Sequence, residues 1–294
     1  MSEFAIEVRD LTMKYGRKTA AEDVRFHVPR GSVYAMLGRN GAGKSSLVRC
    51  LLGLQRATRG SATIFGEDAW KKRTAIMQRV GVVSEEADAP PEMSVAALGR
   101  FCRDVYARWD DEILQSRLRT FDIPMSSRFG ALSKGQKKQV ALALALAMSP
   151  DLLVLDDPTL GLDVVARKSL FEEVIAELAD RGITVLLTTH DLAGVETLAD
   201  RVGIMKNGRL VLDEELEPLK ARFRRIRFAA QPVALEQSAF RTAVVRNLGA
   251  GAEAIVTNYN DLEFERLRSA NAEVSAMSLE EIFIAMSGEN GGGQ

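Results

Sequence analysis

A glycine-rich segment that ends in a lysine and a serine is the first group of residues in this chain that could do chemistry. Residues 38–45 read GRNGAGKS, which fits the G-x-x-x-x-G-K-S/T spacing of a phosphate-binding loop. In such a loop, glycines let backbone N–H groups point at phosphate oxygens. The lysine reaches the β- and γ-phosphates, and the serine hydroxyl binds Mg²⁺. The predicted contacts are Gly38, Asn40, Gly41, Ala42, Gly43, Lys44, Ser45 and Ser46.

A pair of carboxylates forms the second candidate group. Residues 152–158 read LLVLDDP, an apolar run that ends in Asp156 and Asp157 before a proline. This pattern is typical of a Walker-B strand, in which Asp156 would hold Mg²⁺ through water and Asp157 would orient and polarise an attacking water. Taken alone, paired aspartates after a strand more often cap a helix or a turn.

The pattern of apolar residues indicates which elements position these groups. Val33–Leu37 is a continuous apolar run suited to a buried strand, and it is followed by the glycine-rich loop and a helical stretch at 44–54. Further short apolar runs occur at Val80–Val83, 152–155 and 184–188. Because strands and helices alternate, we expect an α/β fold built on a parallel sheet.

Two other regions break this alternation. The segment at about 86–132 has helical periodicity without a strand pattern, and it is predicted to be an inserted helical subdomain. Beyond residue 215 a basic run leads into a new set of short elements, so 216–287 is predicted to be a small α+β domain. The glycine-rich end, 288–294, is predicted to be disordered.

Composition excludes several functions. A formal net charge of −1 with 27% charged residues describes an ordinary surface, so we expect no nucleic-acid partner. The longest apolar stretch, 140–148, is about half of the roughly 20 residues that a membrane-spanning helix needs. Residues 1–10 lack a signal-peptide pattern, so a cytoplasmic location is expected.

Residues 132–136, LSKGQ, lie between the two candidate groups and extend the pattern. Here the chain resembles the nucleotide-binding domains of ATP-binding-cassette (ABC) proteins, whose signature is usually LSGGQ, with Lys134 as the difference. Tyr15, the phosphate loop, the paired aspartates, GLD at 161–163 and THD at 189–191 follow the order of that family. The resemblance covers about residues 4–215 and implies a P-loop ABC ATPase cassette with a mixed sheet.

The resemblance also implies roles for individual residues. Tyr15 would stack on adenine, although a tyrosine in such a turn is otherwise a surface aromatic. His190 would hydrogen-bond the γ-phosphate or the attacking water. The residues implied to complete nucleotide binding, partly on ATP held by an opposing subunit, are Ser133, Gly135, Gln136 and Asp163. A complete site then needs two cassettes, so the resemblance implies a dimer, with a homodimer as the simplest form.

Two residues depart from the family pattern. Glu85 replaces the usual glutamine after the Val80–Val83 strand, where a carboxylate can still bind Mg²⁺ or water. Asp157 stands in place of the usual catalytic glutamate, and its side chain is shorter by one methylene. Because a misplacement of about 1 Å can cost about a hundredfold in rate, we expect slow hydrolysis.

Three functions fit these patterns. The favoured one is the ATP-hydrolysing subunit of a membrane exporter, bound to the inner face of the membrane through a separate permease. LSKGQ, Glu85 and an appended domain ending in a helix at 278–283 resemble the drug, antibiotic-peptide and polysaccharide exporter branch. The alternatives are a slow or degenerate ATP-dependent switch and a soluble ABC protein without a transport role.

Overall fold

The computed structural model describes residues 3–190, 192, 194–229, 238–249, 251–267 and 272–288. The chain divides into two compact units, 1–213 and 214–294. The division into functional domains at 1–215 and 216–287 stays a prediction.

The first unit is built around a sheet of six strands in the order β10-β9-β3-β8-β7-β6. β3 runs parallel to β8 and β9, and β7 runs parallel to β6 and β8. Because the carboxyl ends of neighbouring parallel strands meet at one edge, the loops that follow β3, β7 and β8 come together there. The strands are β3 (Val33–Leu37), β6 (Val80–Val83), β7 (Leu152–Asp156), β8 (Thr184–Thr189), β9 (Arg201–Lys206) and β10 (Arg209–Glu215).

A second sheet has four strands in the order β2-β1-β4-β5. β1 and β2 form an antiparallel hairpin in which Tyr15 pairs with Lys18. The strands are β1 (Phe4–Tyr15), β2 (Lys18–Pro29), β4 (Arg59–Ile64) and β5 (Glu67–Asp68).

The helices of the first unit pack on these sheets. Leu47 and Leu51 of α1 belong to a buried cluster that also contains Ile6 and Tyr34, one from each sheet. Ahead of α2, the side chain of Asp68 accepts hydrogen bonds from the backbone N–H groups of Trp70 and Lys71 and holds a turn. The helices are α1 (Lys44–Leu51), α2 (Arg73–Met77), α3 (Val95–Val105), α4 (Asp111–Thr120), α5 (Lys134–Ala147) and α6 (Val164–Arg181).

The second unit contains an antiparallel sheet of four strands in the order β12-β13-β11-β14. β12 and β14 are largely exposed and lack the clear apolar alternation by which a strand is recognised in a sequence. Residues 289–294 of the predicted disordered tail lie outside the described residues. The elements are α7 (Leu216–Arg222), β11 (Arg224–Phe228), β12 (Thr242–Leu248), β13 (Gly251–Val256), α8 (Asp261–Leu267), β14 (Ala272–Ala276) and α9 (Leu279–Ser287).

A buried ion cluster joins α4 of the predicted helical subdomain to α6. The guanidinium of Arg117 lies 2.6 Å from a carboxylate oxygen of Glu173 and 2.9 Å from one of Glu177. Burial raises the pKa of Glu173, and the charge of Arg117 opposes that rise. Removing one partner of a buried ion pair leaves an uncompensated charge, which costs about 3 kcal/mol or more.

We expect Arg117→Met to lower the free energy of unfolding by about 3 kcal/mol at neutral pH. Without Arg117 the pKa of Glu173 in the folded chain lies further above its unfolded value of about 4.3. The stability of the variant therefore falls as the pH rises through the range between these two pKa values. The deficit should therefore shrink as the pH approaches about 4. Urea unfolding at several pH values measures the loss in the free energy of unfolding. Lys168→Met, which removes an exposed partner of Glu172, is the control. A deficit equal to that of the control would contradict the proposed linkage.

Candidate functional site

The loop between β3 and α1 leaves the N-terminus of α1 open to solvent. Gly41 and Gly43 have φ values of 82° and 109°, a region that L side chains rarely adopt. A Cβ atom on Gly43 would also lie 2.2 Å from the carbonyl oxygen of Ala20, so only glycine fits there. The first N–H groups of α1 have no partner within the helix, and such groups bind anions.

Lys44 begins α1 and is only 4% exposed. Its ammonium donates a 2.6 Å hydrogen bond to the carbonyl oxygen of Gly38 and lies 3.8 Å from Oδ2 of Asp157. Burial lowers the pKa of Lys44, and the carboxylate of Asp157 opposes that shift. The lysine is therefore fixed between the loop that it belongs to and the end of β7.

Asp156 ends β7 next to the start of α1. Its Oδ1 accepts a hydrogen bond from the hydroxyl of Thr188 on β8, and the Ser45 hydroxyl lies 3.4 Å from the same oxygen. Among the described residues, no group of three or more His, Cys, Asp or Glu side chains could hold a metal ion. One carboxylate and one hydroxyl nevertheless suit Mg²⁺, which takes oxygen ligands and keeps waters and substrate phosphates in its shell.

Asp157 has an unusual backbone conformation. Its φ is 44°, in the left-handed region, which costs a residue other than glycine of the order of 1–3 kcal/mol. Its N–H donates to the carbonyl oxygen of Thr188 at 2.9 Å. Its Oδ1 accepts from the backbone N–H of His190 at 3.2 Å and lies 2.8 Å from Nδ1 of the same residue. The buried carboxylate therefore lies between His190 and Lys44.

The phosphate-binding loop, Lys44 and Asp157 line a cavity of about 500 Å³. The structure brings together at this cavity most of the residues predicted to bind nucleotide, as well as Glu85 and Asp157. Lys18 and Ala20 of β2 also line the cavity and were missed, because only the hairpin register brings them beside the loop. The lining residues are Tyr15, Lys18, Ala20, Asn40, Gly41, Ala42, Gly43, Lys44, Ser45, Ser46, Glu85 and Asp157.

Four predicted binding residues lie at the N-termini of α5 and α6. Ser133 caps α5, since its hydroxyl accepts from the Gln136 N–H at 3.1 Å and the Gln136 side chain accepts from the Ser133 N–H at 3.0 Å. Gly135 is the second residue of α5. Asp163 accepts from the Ala166 N–H at 2.8 Å at the start of α6. These hydrogen bonds explain their local structure, and their contact with the nucleotide of an opposing subunit stays a prediction.

His190 and Asp191 follow β8. His190 contacts the cavity through Asp157, and its predicted contact with the γ-phosphate or attacking water stays a prediction. Asp191 lies outside the described residues. Thr188, which the sequence did not single out, donates to Asp156 and accepts from Asp157.

A phosphate-binding loop at the edge of a parallel sheet, opposite a carboxylate pair, defines a P-loop nucleotide-binding protein. A family model described as ABC transporter matches residues 21–160. The Nod factor export ATP-binding protein I of Bradyrhizobium diazoefficiens is 37% identical over 214 residues, which are 71% of this chain and 69% of that protein. The bacitracin transport ATP-binding protein of Bacillus licheniformis is 32% identical, with 75% of this chain and 72% of that protein aligned.

Solved structures agree with this relationship. An ATP-binding subunit of an ABC transporter is 31% identical, with a TM-score of 0.69 over 74% of this chain and 92% of that one. A dimeric ATP-binding cassette bound to ADP and phosphate has a TM-score of 0.65 at 21% identity, which shows a shared fold. The chain belongs to the ATP-binding subunits of ABC transporters, so the resemblance and the α/β cassette fold predicted from the sequence are confirmed.

We expect Lys44→Ala to weaken ATP binding by about 10- to 100-fold or more, because hydrogen bonds to a charged group contribute about 1.5–3 kcal/mol each. Titration calorimetry with ATP in the presence of Mg²⁺ measures the affinity. Arg49→Ala, an exposed position on the same helix and outside the cavity lining, should bind as the parent chain does. Equal affinity in Lys44→Ala and Arg49→Ala would contradict the assignment of the loop.

Proposed function

We propose that this chain hydrolyses Mg–ATP to power a membrane exporter and that Asp157 aligns the attacking water. The observation that carries this proposal is the placement of the Asp157 carboxylate at the cavity, 3.8 Å from the ammonium of Lys44 and 2.8 Å from His190. A carboxylate beside the phosphate-binding loop can accept a hydrogen bond from water while the lysine neutralises phosphate charge. Export is supported by the names of relatives, which concern Nod factor, bacitracin and lantibiotic transport.

The groups around the cavity have separable roles in this proposal. The N–H groups of the loop and Lys44 bind the phosphates, and Tyr15 stacks on the base. Ser45 and Asp156 would hold Mg²⁺, and Glu85 would add a further carboxylate near it. Mg²⁺ supplies charge neutralisation at the phosphates when bound. His190 keeps the carboxylate of Asp157 oriented.

The partners are a second cassette subunit and a separate permease. Ser133, Gly135, Gln136 and Asp163 lie at helix ends whose N–H groups favour anions, which suits contact with the γ-phosphate of a nucleotide on a second copy. Within the described ranges, no helix is both long and apolar enough to cross a membrane. Attachment to the inner face of the membrane through the permease is part of the proposal.

A slow ATP-dependent switch is the second candidate. The observation that favours it is that both oxygens of the short Asp157 carboxylate already face protein partners, His190 and Lys44. A carboxylate held in this way has less freedom to follow a water molecule. ATP binding would then bring two subunits together, and turnover would be slow.

We expect Asp157→Asn to retain ATP binding and to lower turnover by roughly 10²-fold or more, because the amide cannot act as a general base. Phosphate release at saturating Mg–ATP and calorimetric ATP affinity measure the two properties. Asp122→Asn is a matched control, since Asp122 is exposed and also has a left-handed backbone, with a φ of 53°. The variant should also accumulate an ATP-bound dimer, visible by size-exclusion chromatography.

Two outcomes would change the assignment. If Asp157→Asn turned over ATP as fast as Asp122→Asn, Asp157 would not be the water-aligning group. If the parent chain with its permease were already as slow as Asp157→Asn while binding ATP normally, the switch would replace the motor.

A further inference from the structure

Lys138 of α5 is a buried lysine that none of the roles above requires. It is 3% exposed, and its ammonium donates hydrogen bonds to the carbonyl oxygens of Asp157 at 2.9 Å and Leu160 at 2.8 Å. Burial lowers the pKa of Lys138, whereas the nearby carboxylate of Asp157 opposes that shift. Burying an ammonium is costly unless it is well paired. We therefore expect the buried ammonium of Lys138 to have a specific role.

The two carbonyl groups belong to one turn. The Leu160 N–H donates to the Asp157 carbonyl at 3.2 Å, so the carbonyl that Lys138 binds also closes the turn at 157–160. Asp157 has a left-handed backbone, which persists only when its surroundings hold it there. On the N–H side, Asp157 is held by its hydrogen bond to the carbonyl oxygen of Thr188 on β8. On its carbonyl side the charged donor is Lys138.

We propose that Lys138 is a positioning residue for ATP hydrolysis: it fixes the turn at 157–160 and thereby aims the carboxylate of Asp157 at the cavity. Lys138 is not among the residues that line the cavity described above, so it acts through Asp157 rather than on the nucleotide. The inference rests on the proposed role of Asp157. Hydrogen bonds from a charged donor are roughly twice as strong as neutral ones, so a lysine suits this task.

Lys138→Met is the first test, because methionine keeps the length of the side chain and removes its donors. In the full chain, turnover at saturating Mg–ATP should fall about tenfold or more, since a shift of about 1 Å in a catalytic group costs about a hundredfold. ATP affinity should not change. Lys138→Arg, which retains a charged donor, should restore much of the rate.

Lys137→Met is the matched control on the same helix. The Lys137 ammonium lies 5.4 Å from the centre of the Phe129 ring, whereas the ammonium of Lys138 donates to the carbonyl oxygens of the turn at 157–160. The turnover and ATP affinity of Lys137→Met should equal those of the parent chain. Parent turnover in a folded Lys138→Met, or an equal loss in both methionine variants, would overturn the inference.

A double-mutant cycle separates this inference from the proposed function. If Lys138 acts through the Asp157 carboxylate, Lys138→Met should cause no further loss in an Asp157→Asn background, measured as single-turnover phosphate formation. A second full loss in that background would overturn the role of Lys138 and leave that of Asp157 intact. Parent turnover in Asp157→Asn alone would instead reject the proposed function.

The position of Asp157 can also be followed without catalysis. The chain has two histidines, and His190 Nδ1 lies 2.8 Å from the carboxylate of Asp157. The ring ¹⁵N signals of His190 should shift in Lys138→Met and stay in place in Lys137→Met. If Lys138→Met does not fold, Lys138→Gln, which keeps a neutral donor, supplies the same comparison. Unshifted signals in the folded variant would contradict the positioning role.

Discussion

The adjacency of β3, β8 and β7 in one parallel sheet is the constraint on which the site depends. The phosphate-binding loop leaves β3, Asp157 follows β7, and His190 follows β8. Since β8 lies between the other two strands, the three loops meet at one edge although they are far apart in the sequence. Backbone pairing thus sets the distance between Lys44 and Asp157 before any side chain contributes.

The charges at this edge depend on each other. Lys44, Asp156 and Asp157 are all buried, and desolvation of an isolated charge would be costly. Each charge therefore needs its neighbours: Lys44 lies near Asp157, and the Asp156 carboxylate accepts from Thr188. Such a preorganised set of charges can act on a triphosphate without reorganising, which is the main physical advantage of a buried site.

Local spacing predicted the parts of the site that lie in continuous segments. The loop at 38–45 and the aspartates after β7 are recognisable because neighbouring residues perform one task. Lys18, Thr188 and Lys138 could not be predicted in this way, since each reaches the site through strand register or helix packing. The same reason applies to the strands β12 and β14, whose pairing partners rather than their own apolar patterns define them.

Asp157 shows why side-chain length alone does not determine where a carboxylate lies. The expectation of a misplaced carboxylate assumed that an aspartate replaces a glutamate on an unchanged backbone. Here the backbone itself is left-handed and is held on both sides, by Thr188 and by Lys138. The position of the carboxylate thus depends on both the length of the side chain and the backbone conformation of Asp157. Lys138 also joins the turn at 157–160 to α5, so a displacement of that helix would change the backbone conformation of Asp157.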